Sequence, residues 1–101
     1  MSYAKKTDDN QKEIVSTFEA LGARVAITSS AGNGFPDLVV QYIYPPHGQL
    51  VTYLVEVKDG SKSPSRRALT TDQKEFHAKF VCHIVESVED VYDLLEINYQ
   101  D

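Results

Sequence analysis

The sequence predicts an α/β (α+β) layer structure: one mixed four-stranded sheet with helices packed against it, in the order α-β-β-β-α-β-α. Three observations predict it. Apolar residues recur at helical spacing in three segments, four short segments between them are rich in β-formers, and neither a repeat nor a linker interrupts the chain. At 101 residues and 11.3 kDa there is room for one domain, 1–101, with its core over about residues 8–95.

The elements follow in order. Over residues 8–21, Ile14, Phe18 and Leu21 recur at spacings of four and three, Val15 widens the stripe, and Gly22 stands where a C-terminal cap belongs, so this segment predicts a helix. Residues 23–28 predict a strand and residues 29–34 a loop. Residues 37–44 predict a second strand, Pro45-Pro46-His47-Gly48 a turn, and residues 50–58 a third strand. The link between these two strands is too short for a crossover helix, so they pair antiparallel. Residues 59–69 read as a polar loop. Thr70 or Thr71 caps a helix running to about residue 80, whose stripe is Phe76 and Phe80. Residues 81–86 predict a fourth strand. Ser87 caps a last helix striped by Val88, Val91, Leu94 and Leu95, and Asp90 forms an acidic variant of the capping box.

Composition narrows the function classes. Forty-two per cent apolar and 25% charged residues are ordinary globular values and argue against a disordered or fibrous chain. Apolar runs no longer than Leu38-Val39-Val40 predict no membrane span, and the polar start predicts no secretory signal. The single cysteine, Cys82, leaves no partner for an intramolecular disulfide and fits a reducing cytoplasm; it reads as a core residue. A net charge of −5 speaks against nucleic acid until its distribution is examined. Lys58, Lys62, Arg66 and Arg67 cluster against the single acid Asp59, whereas Glu86, Glu89, Asp90, Asp93, Glu96 and Asp101 follow residue 84 without a Lys or Arg. The chain has one basic loop and one acidic tail; a merely solvated loop is the plain alternative for the first.

Three breaks in the pattern carry chemistry. In the third strand Tyr53, Val55 and Val57 share one face, and Thr52, Leu54, Glu56 and Lys58 the other, which ends in a carboxylate and an ammonium. An edge salt bridge would explain that pair alone. In the second strand Asp37 follows Pro36 and shares a face with Val39, Gln41 and Ile43. Pairing the two strands brings Asp37 near Glu56 and Lys58. Carboxylates that close repel unless a cation lies between them, and a hard dication such as Mg²⁺ takes one or two carboxylates while keeping several waters. Lys58 could then orient or deprotonate a water. Finally, the stripes of the two flanking helices project onto Gln73 and Gln11, with Glu13 on the flank; a buried amide without partners costs about 1–3 kcal/mol.

Gly34-Phe35-Pro36-Asp37, Glu56-Val57-Lys58 and the helix Gln73, on an α-β-β-β-α-β core, resemble the PD-(D/E)XK nuclease superfamily. The wider strings Gly34-Phe35-Pro36-Asp37-Leu38-Val39-Val40, Glu56-Val57-Lys58-Asp59-Gly60, Pro64-Ser65-Arg66-Arg67 and Leu69-Thr70-Thr71-Asp72-Gln73 are similar to the small stand-alone VRR-NUC (virus-type replication-repair nuclease) proteins of phages and prophages. The resemblance covers nearly the whole chain. It implies that Asp37, Glu56 and the Val57 carbonyl bind Mg²⁺ (Mn²⁺ substituting), that Lys58 positions or activates the water, and that Gln73 supports the site. Related resolvases bring in a first-helix glutamate through water; the helix register sets Gln11 nearest that place, and a slight rotation would bring in Glu13, so one metal or two stays open.

The implied reaction is metal-assisted phosphodiester hydrolysis by a DNA endonuclease. Lys62, Arg66 and Arg67 would hold flanking phosphates, contacts that position without reading sequence. Ser30, beside Ser29, sits where resolvases carry a functional serine, although loop polarity explains both. The resemblance points to a homodimer acting on branched or Holliday-junction DNA in the cytoplasm of a bacterial host, the acidic last helix facing away from the substrate. Flaps, nicked duplex or single strands are alternative substrates; a catalytically silent nucleic-acid-binding module and a structural protein with a Glu56–Lys58 salt bridge are alternative classes. His77 reads as helix packing, His47 as a turn residue, and Tyr42, Tyr44 and Tyr53 as a half-buried sheet face or dimer contact rather than base-stacking groups.

Overall fold

A computed structural model describes residues 9–98; the start of the first helix at residue 8 and the acid Asp101 lie outside the described residues. The first apolar stripe forms α1 (Gln11–Ala20), which buries Ile14 and Phe18. Its N-cap, Asn10, leaves the helix uncapped by its side chain. The Asn10 Nδ2 instead donates to the carbonyls of Lys58 and Glu86, both at 3.1 Å, tying the start of α1 to the ends of two strands. Gly22, at φ 96°, turns the chain into β1 (Arg24–Ile27). A 3-10 turn at Ser29–Ala31 precedes β2 (Leu38–Tyr44), and the Pro-Pro-His-Gly turn leads into β3 (Gln49–Val57). The crossover from β3 contains α2 (Pro64–Arg67) and α3 (Thr71–Lys79), before β4 (Cys82–Val85) and α4 (Val88–Leu95).

The sheet order is β1-β2-β3-β4. β1 and β3 run antiparallel to β2, and β4 runs parallel to β3, so the mixed four-stranded sheet follows the sequence-based expectation. Leu38 and Val40 of β2, Val55 and Val57 of β3, and Val85 of β4 point to one face, where Ile14 and Phe18 of α1 and Val91 and Leu95 of α4 cover them; this is the core. Among the described residues no helix is long and apolar enough to cross a membrane.

Several local expectations are corrected. The polar loop over residues 59–69 contains α2, started by Pro64 in its first turn where the missing N–H costs nothing. The stripe of α3 does not reach the core: Gln73 is its buried residue, Phe76 meets Phe35 edge-on at 5.2 Å and stacks on Phe80 at 4.5 Å, and Phe80 is 51% exposed. Cys82 is half-buried rather than core, because β4 presents it to the sheet face that α1 and α4 do not cover. Burial and the nearby Glu56 push its thiol pKa up, which slows thiolate chemistry. In α4, Ser87 caps as expected, but the Asp90 carboxylate reaches one residue further back and accepts the N–H of Glu86 at 2.8 Å. Tyr42, Tyr44 and Tyr53 are half-buried and pack on one another: Tyr42 lies edge-on to Tyr44 at 4.7 Å, the hydroxyls of Tyr44 and Tyr53 share a hydrogen bond, and Tyr53 meets His83 edge-on. Burial and the Tyr53 hydroxyl raise the Tyr44 phenol well above its ordinary range.

Candidate active site

The site begins where β2 begins. Thr28, just after β1, donates its N–H to the Asp37 carbonyl at 2.7 Å and its hydroxyl to the Pro36 carbonyl at 2.8 Å, pinning the Pro-Asp step against the end of β1. Leu38 pairs with Val55, so continuing the register by one residue sets Asp37 opposite Glu56. Because side chains alternate along strands, both carboxylates leave the sheet on the face opposite the core. Asp37 Oδ2 accepts the Val57 N–H at 2.8 Å. In an extended strand a residue's N–H and C=O point the same way across the sheet, so the Val57 carbonyl is also turned toward Asp37. Lys58 continues β3, its N–H donating to the Val85 carbonyl at 3.0 Å.

α3 closes the site from above. Lys58 Nζ donates to Gln73 Oε1 at 2.9 Å, and Gln73 Nε2 donates to Glu56 Oε2 at 3.1 Å. The same Oε1 accepts the Thr70 N–H at 2.9 Å, while the Gln73 N–H donates to Thr70 Oγ1 at 3.2 Å, a complete capping box. An ammonium and a backbone N–H can only donate, so they fix the amide with its oxygen toward Lys58 and its NH₂ toward Glu56. One residue therefore caps α3 and joins the carboxylate to the lysine. Asp37, Glu56, Lys58 and Gln73 are 3, 1, 8 and 3% exposed. Thr70→Ala is expected to lower stability by about 1 kcal/mol, the usual worth of a cap. A urea titration reads that loss, and slower turnover should accompany it, because the Gln73 backbone N–H loses its Thr70 Oγ1 acceptor and the first turn of α3, which carries the Gln73 side chain, is held less firmly.

Of the first-helix pair, Gln11 is buried and Glu13 is exposed. Gln11 Nε2 lies 2.9 Å from Ser29 Oγ, whose hydroxyl faces Gln11 Oε1 at 3.2 Å and approaches the Asp37 carbonyl at 3.5 Å. Glu13 sits on the other flank, in a cleft with Asp59, Arg67 and Glu86 that none of the four site side chains lines. The expectation that a rotation of α1 could bring Glu13 in is thus not met: the turn of α1 that buries Ile14 and Phe18 points it away. Ser29 is the residue that sequence reasoning undervalued, and its signal was the need of a buried Gln11 for a partner. Ser30 is exposed.

The basic loop divides. Arg67 Nη1 lies 2.9 Å from Glu86 Oε2 and Arg67 Nε donates to the Lys62 carbonyl at 2.8 Å, so this guanidinium braces the loop against the end of β4 rather than projecting as a phosphate clamp. Lys62 lies 3.8 Å from the exposed Asp9, and Arg66 is exposed. Asp59 accepts the N–H and hydroxyl of Ser61, which hold its carboxyl below the usual range. His77 is half-buried on α3.

These donors fit a hard dication. Among the described residues no three His, Cys, Asp or Glu side chains gather as a self-sufficient cage. Two buried carboxylates and a strand carbonyl at one sheet end are oxygen donors of the kind hard divalent cations take, with water completing the shell.

No family model and no curated protein matches the chain. A solved structure titled "VRR_NUC domain" superposes with a TM-score of 0.58 at 35% sequence identity, over 88% of this chain and 92% of that chain. The identity, the coverage and the shared mixed sheet flanked by helices lead to one conclusion: the chain belongs to the VRR-NUC family, whose fold is PD-(D/E)XK, and is a nuclease domain.

Proposed function

We propose that this nuclease domain is a Mg²⁺-dependent endodeoxyribonuclease, also served by Mn²⁺, that cuts branched or Holliday-junction DNA as a homodimer. One observation carries the reading: Asp37 and Glu56 face each other at one sheet end, and a single buried amide, Gln73, bonds both Glu56 and Lys58. Two buried carboxylates would repel a phosphodiester by themselves, so a silent DNA-binding module has no use for them.

Asp37, Glu56 and the Val57 carbonyl hold the cation, which when bound offsets the charge that develops on the phosphoryl oxygens. Lys58 Nζ, steadied by Gln73, donates to the attacking water or to a phosphate oxygen. The water oxygen bonds to phosphorus in line as the bond from phosphorus to the leaving sugar oxygen breaks; a water proton passes to solvent and the leaving oxygen gains one. Gln11 and Ser29 brace the backbone of Asp37. Arg66 and Lys62 contact flanking phosphates, with Ser30 at the edge, while α4, bearing Glu89, Asp90 and Asp93, faces away. The sequence carries no recognition-helix pattern among the described residues, and the reading therefore assigns selectivity to DNA shape. The reading places the protein in the cytoplasm of a bacterial host, in a phage or prophage setting, on the motif strings and the single free cysteine.

Labelled four-way junctions, incubated with Mg²⁺, Mn²⁺ or EDTA, test it. Paired cuts near the branch point, absent in EDTA, are expected. Equal cutting in EDTA would refute the metal site, and cutting confined to flaps or single strands would refute the junction assignment.

A further inference from the structure

The number of cations that Asp37 and Glu56 can share follows from the charges around them. The two acids bring two negative charges and Lys58 one positive, all on side chains that solvent scarcely reaches. One dication turns that balance from one excess negative charge into one excess positive charge, which the phosphodiester of a substrate strand cancels. A second dication would leave two positive charges uncompensated. Two-ion sites hold their cations about 4 Å apart, where two dications repel four times as strongly as two unit charges. A second ion therefore needs a third carboxylate.

The position from which α1 would supply that carboxylate is held by an amide. Gln11 lies one turn before Ile14 and two before Phe18, so the helix face that fills the core carries residue 11 to the sheet end. Gln11 Nε2 donates to Ser29 Oγ at 2.9 Å, and that oxygen lies 3.2 Å from Gln11 Oε1 and 3.5 Å from the Asp37 carbonyl. Both polar atoms of the amide face Ser29, and the two residues are 5 and 7% exposed. No acid takes the place of the amide. Asn10 Nδ2 bonds the carbonyls of Lys58 and Glu86, which fixes the rotation of α1 and leaves Glu13 exposed in the cleft with Asp59, Arg67 and Glu86. Asp59 accepts the N–H and the hydroxyl of Ser61. Among the described residues no third acid, histidine or cysteine gathers with Asp37 and Glu56 to hold a metal.

We propose that the chain works with one dication per active site, and that Gln11 is the residue that denies a second ion its place. The neutral amide ties α1 to Ser29 and the Asp37 backbone, where a carboxylate would add a ligand. The inference rests on the metal-dependent reading above and adds the number of ions.

Mn²⁺ titrations of the EDTA-stripped chain, read by the paramagnetic resonance of free Mn²⁺, count the ions without requiring cleavage. The wild type is expected to saturate at one Mn²⁺ per chain. Glu13→Gln should leave that count and the affinity unchanged, and Gln11→Ala, which removes the amide without adding charge, should still bind one. Gln11→Glu should take up a second Mn²⁺, and two ions about 4 Å apart should broaden each other's bound signal. On labelled junctions the wild-type rate should rise hyperbolically with Mg²⁺ and the Gln11→Glu rate sigmoidally. Two ions on the wild type, an ion lost with Glu13→Gln or Gln11→Ala, or a sigmoidal wild-type rate would overturn the single-ion assignment and leave the metal-dependent nuclease standing. A Gln11→Glu variant that keeps the wild-type urea midpoint yet binds one ion would overturn the role of Gln11. A wild type that binds no ion would refute the metal site itself and this inference with it.

Discussion

Asp37→Asn is expected to lower Mg²⁺-supported cleavage by about 10³-fold or more, the scale of losing metal-assisted charge stabilisation at the reacting phosphate. The substitution isolates charge from structure. Asp37 Oδ2 accepts the Val57 N–H, and a carboxamide oxygen can accept the same bond, so the start of β2 should hold its place. What disappears is one of two opposed anions at the sheet end. Without metal the variant should melt no lower than the wild type, since relieving like-charge repulsion does not destabilise. With Mn²⁺ at a hundred times its dissociation constant the wild type should gain about 2.7 kcal/mol of stability and the variant almost none. Initial rates on a four-way junction and melting curves with and without Mn²⁺ check both halves. A variant cutting within tenfold of the wild type, or keeping its metal-induced stabilisation, would remove Asp37 from the metal site.

Gly34→Ala is expected to slow cleavage by about 100-fold without replacing a site residue, as a misplacement of about 1 Å does. Gly34 adopts φ 79°, and a Cβ there would stand 2.2 Å from the Asp72 carbonyl oxygen and 2.9 Å from the Gln73 nitrogen. The left-handed conformation costs an alanine about 1–2 kcal/mol. The contact costs more, because both atoms belong to the first turn of α3, which must move away. Gln73 moves with it, stretching its bonds to Glu56 and Lys58. Metal affinity should change little, because Asp37, Glu56 and the Val57 carbonyl sit on the sheet. A fall in turnover at unchanged Mn²⁺ affinity, with a urea midpoint lowered by about 2 kcal/mol, is the expected signature. Wild-type turnover would show that the approach of the loop to α3 does not position Gln73.

Much of the site was legible because it depends on strand periodicity and a short hairpin. Alternation put Glu56 and Lys58 on the face away from Val55 and Val57, and a short turn made the two strands antiparallel, which brings Asp37 near Glu56 and Lys58; the register that sets Asp37 opposite Glu56 came from the structure. Gln73 and Gln11 were legible as amides on apolar stripes that needed partners. A cap of α3 at Thr70 or Thr71 and of α4 at Ser87 followed from the preference of hydroxyls for N-caps, and the structure selects Thr70.

What stayed hidden has a common cause. Periodicity tells which residues of an element share a side; it does not tell what body that side lies against. Phe76 and Phe80 share a side of α3, yet α3 lies on the uncovered face of the sheet, so they pack on Phe35 and on each other instead of the core. Arg67 had the charge of a phosphate ligand, but the fold brings Glu86 from 19 residues away to meet it. Ser29 looked like any loop serine until Gln11, 18 residues earlier, was laid beside it. The chain's own order of residues thus determined the main elements, the antiparallel hairpin of β2 and β3 and the nearness of the two carboxylates, since those follow from local alternation and a tight turn. Only the tertiary structure decided which amide bridges Glu56 to Lys58, which arginine is held by an acid, and which face of the sheet stands open, because each depends on contacts between segments whose separation along the chain carries no periodic signal.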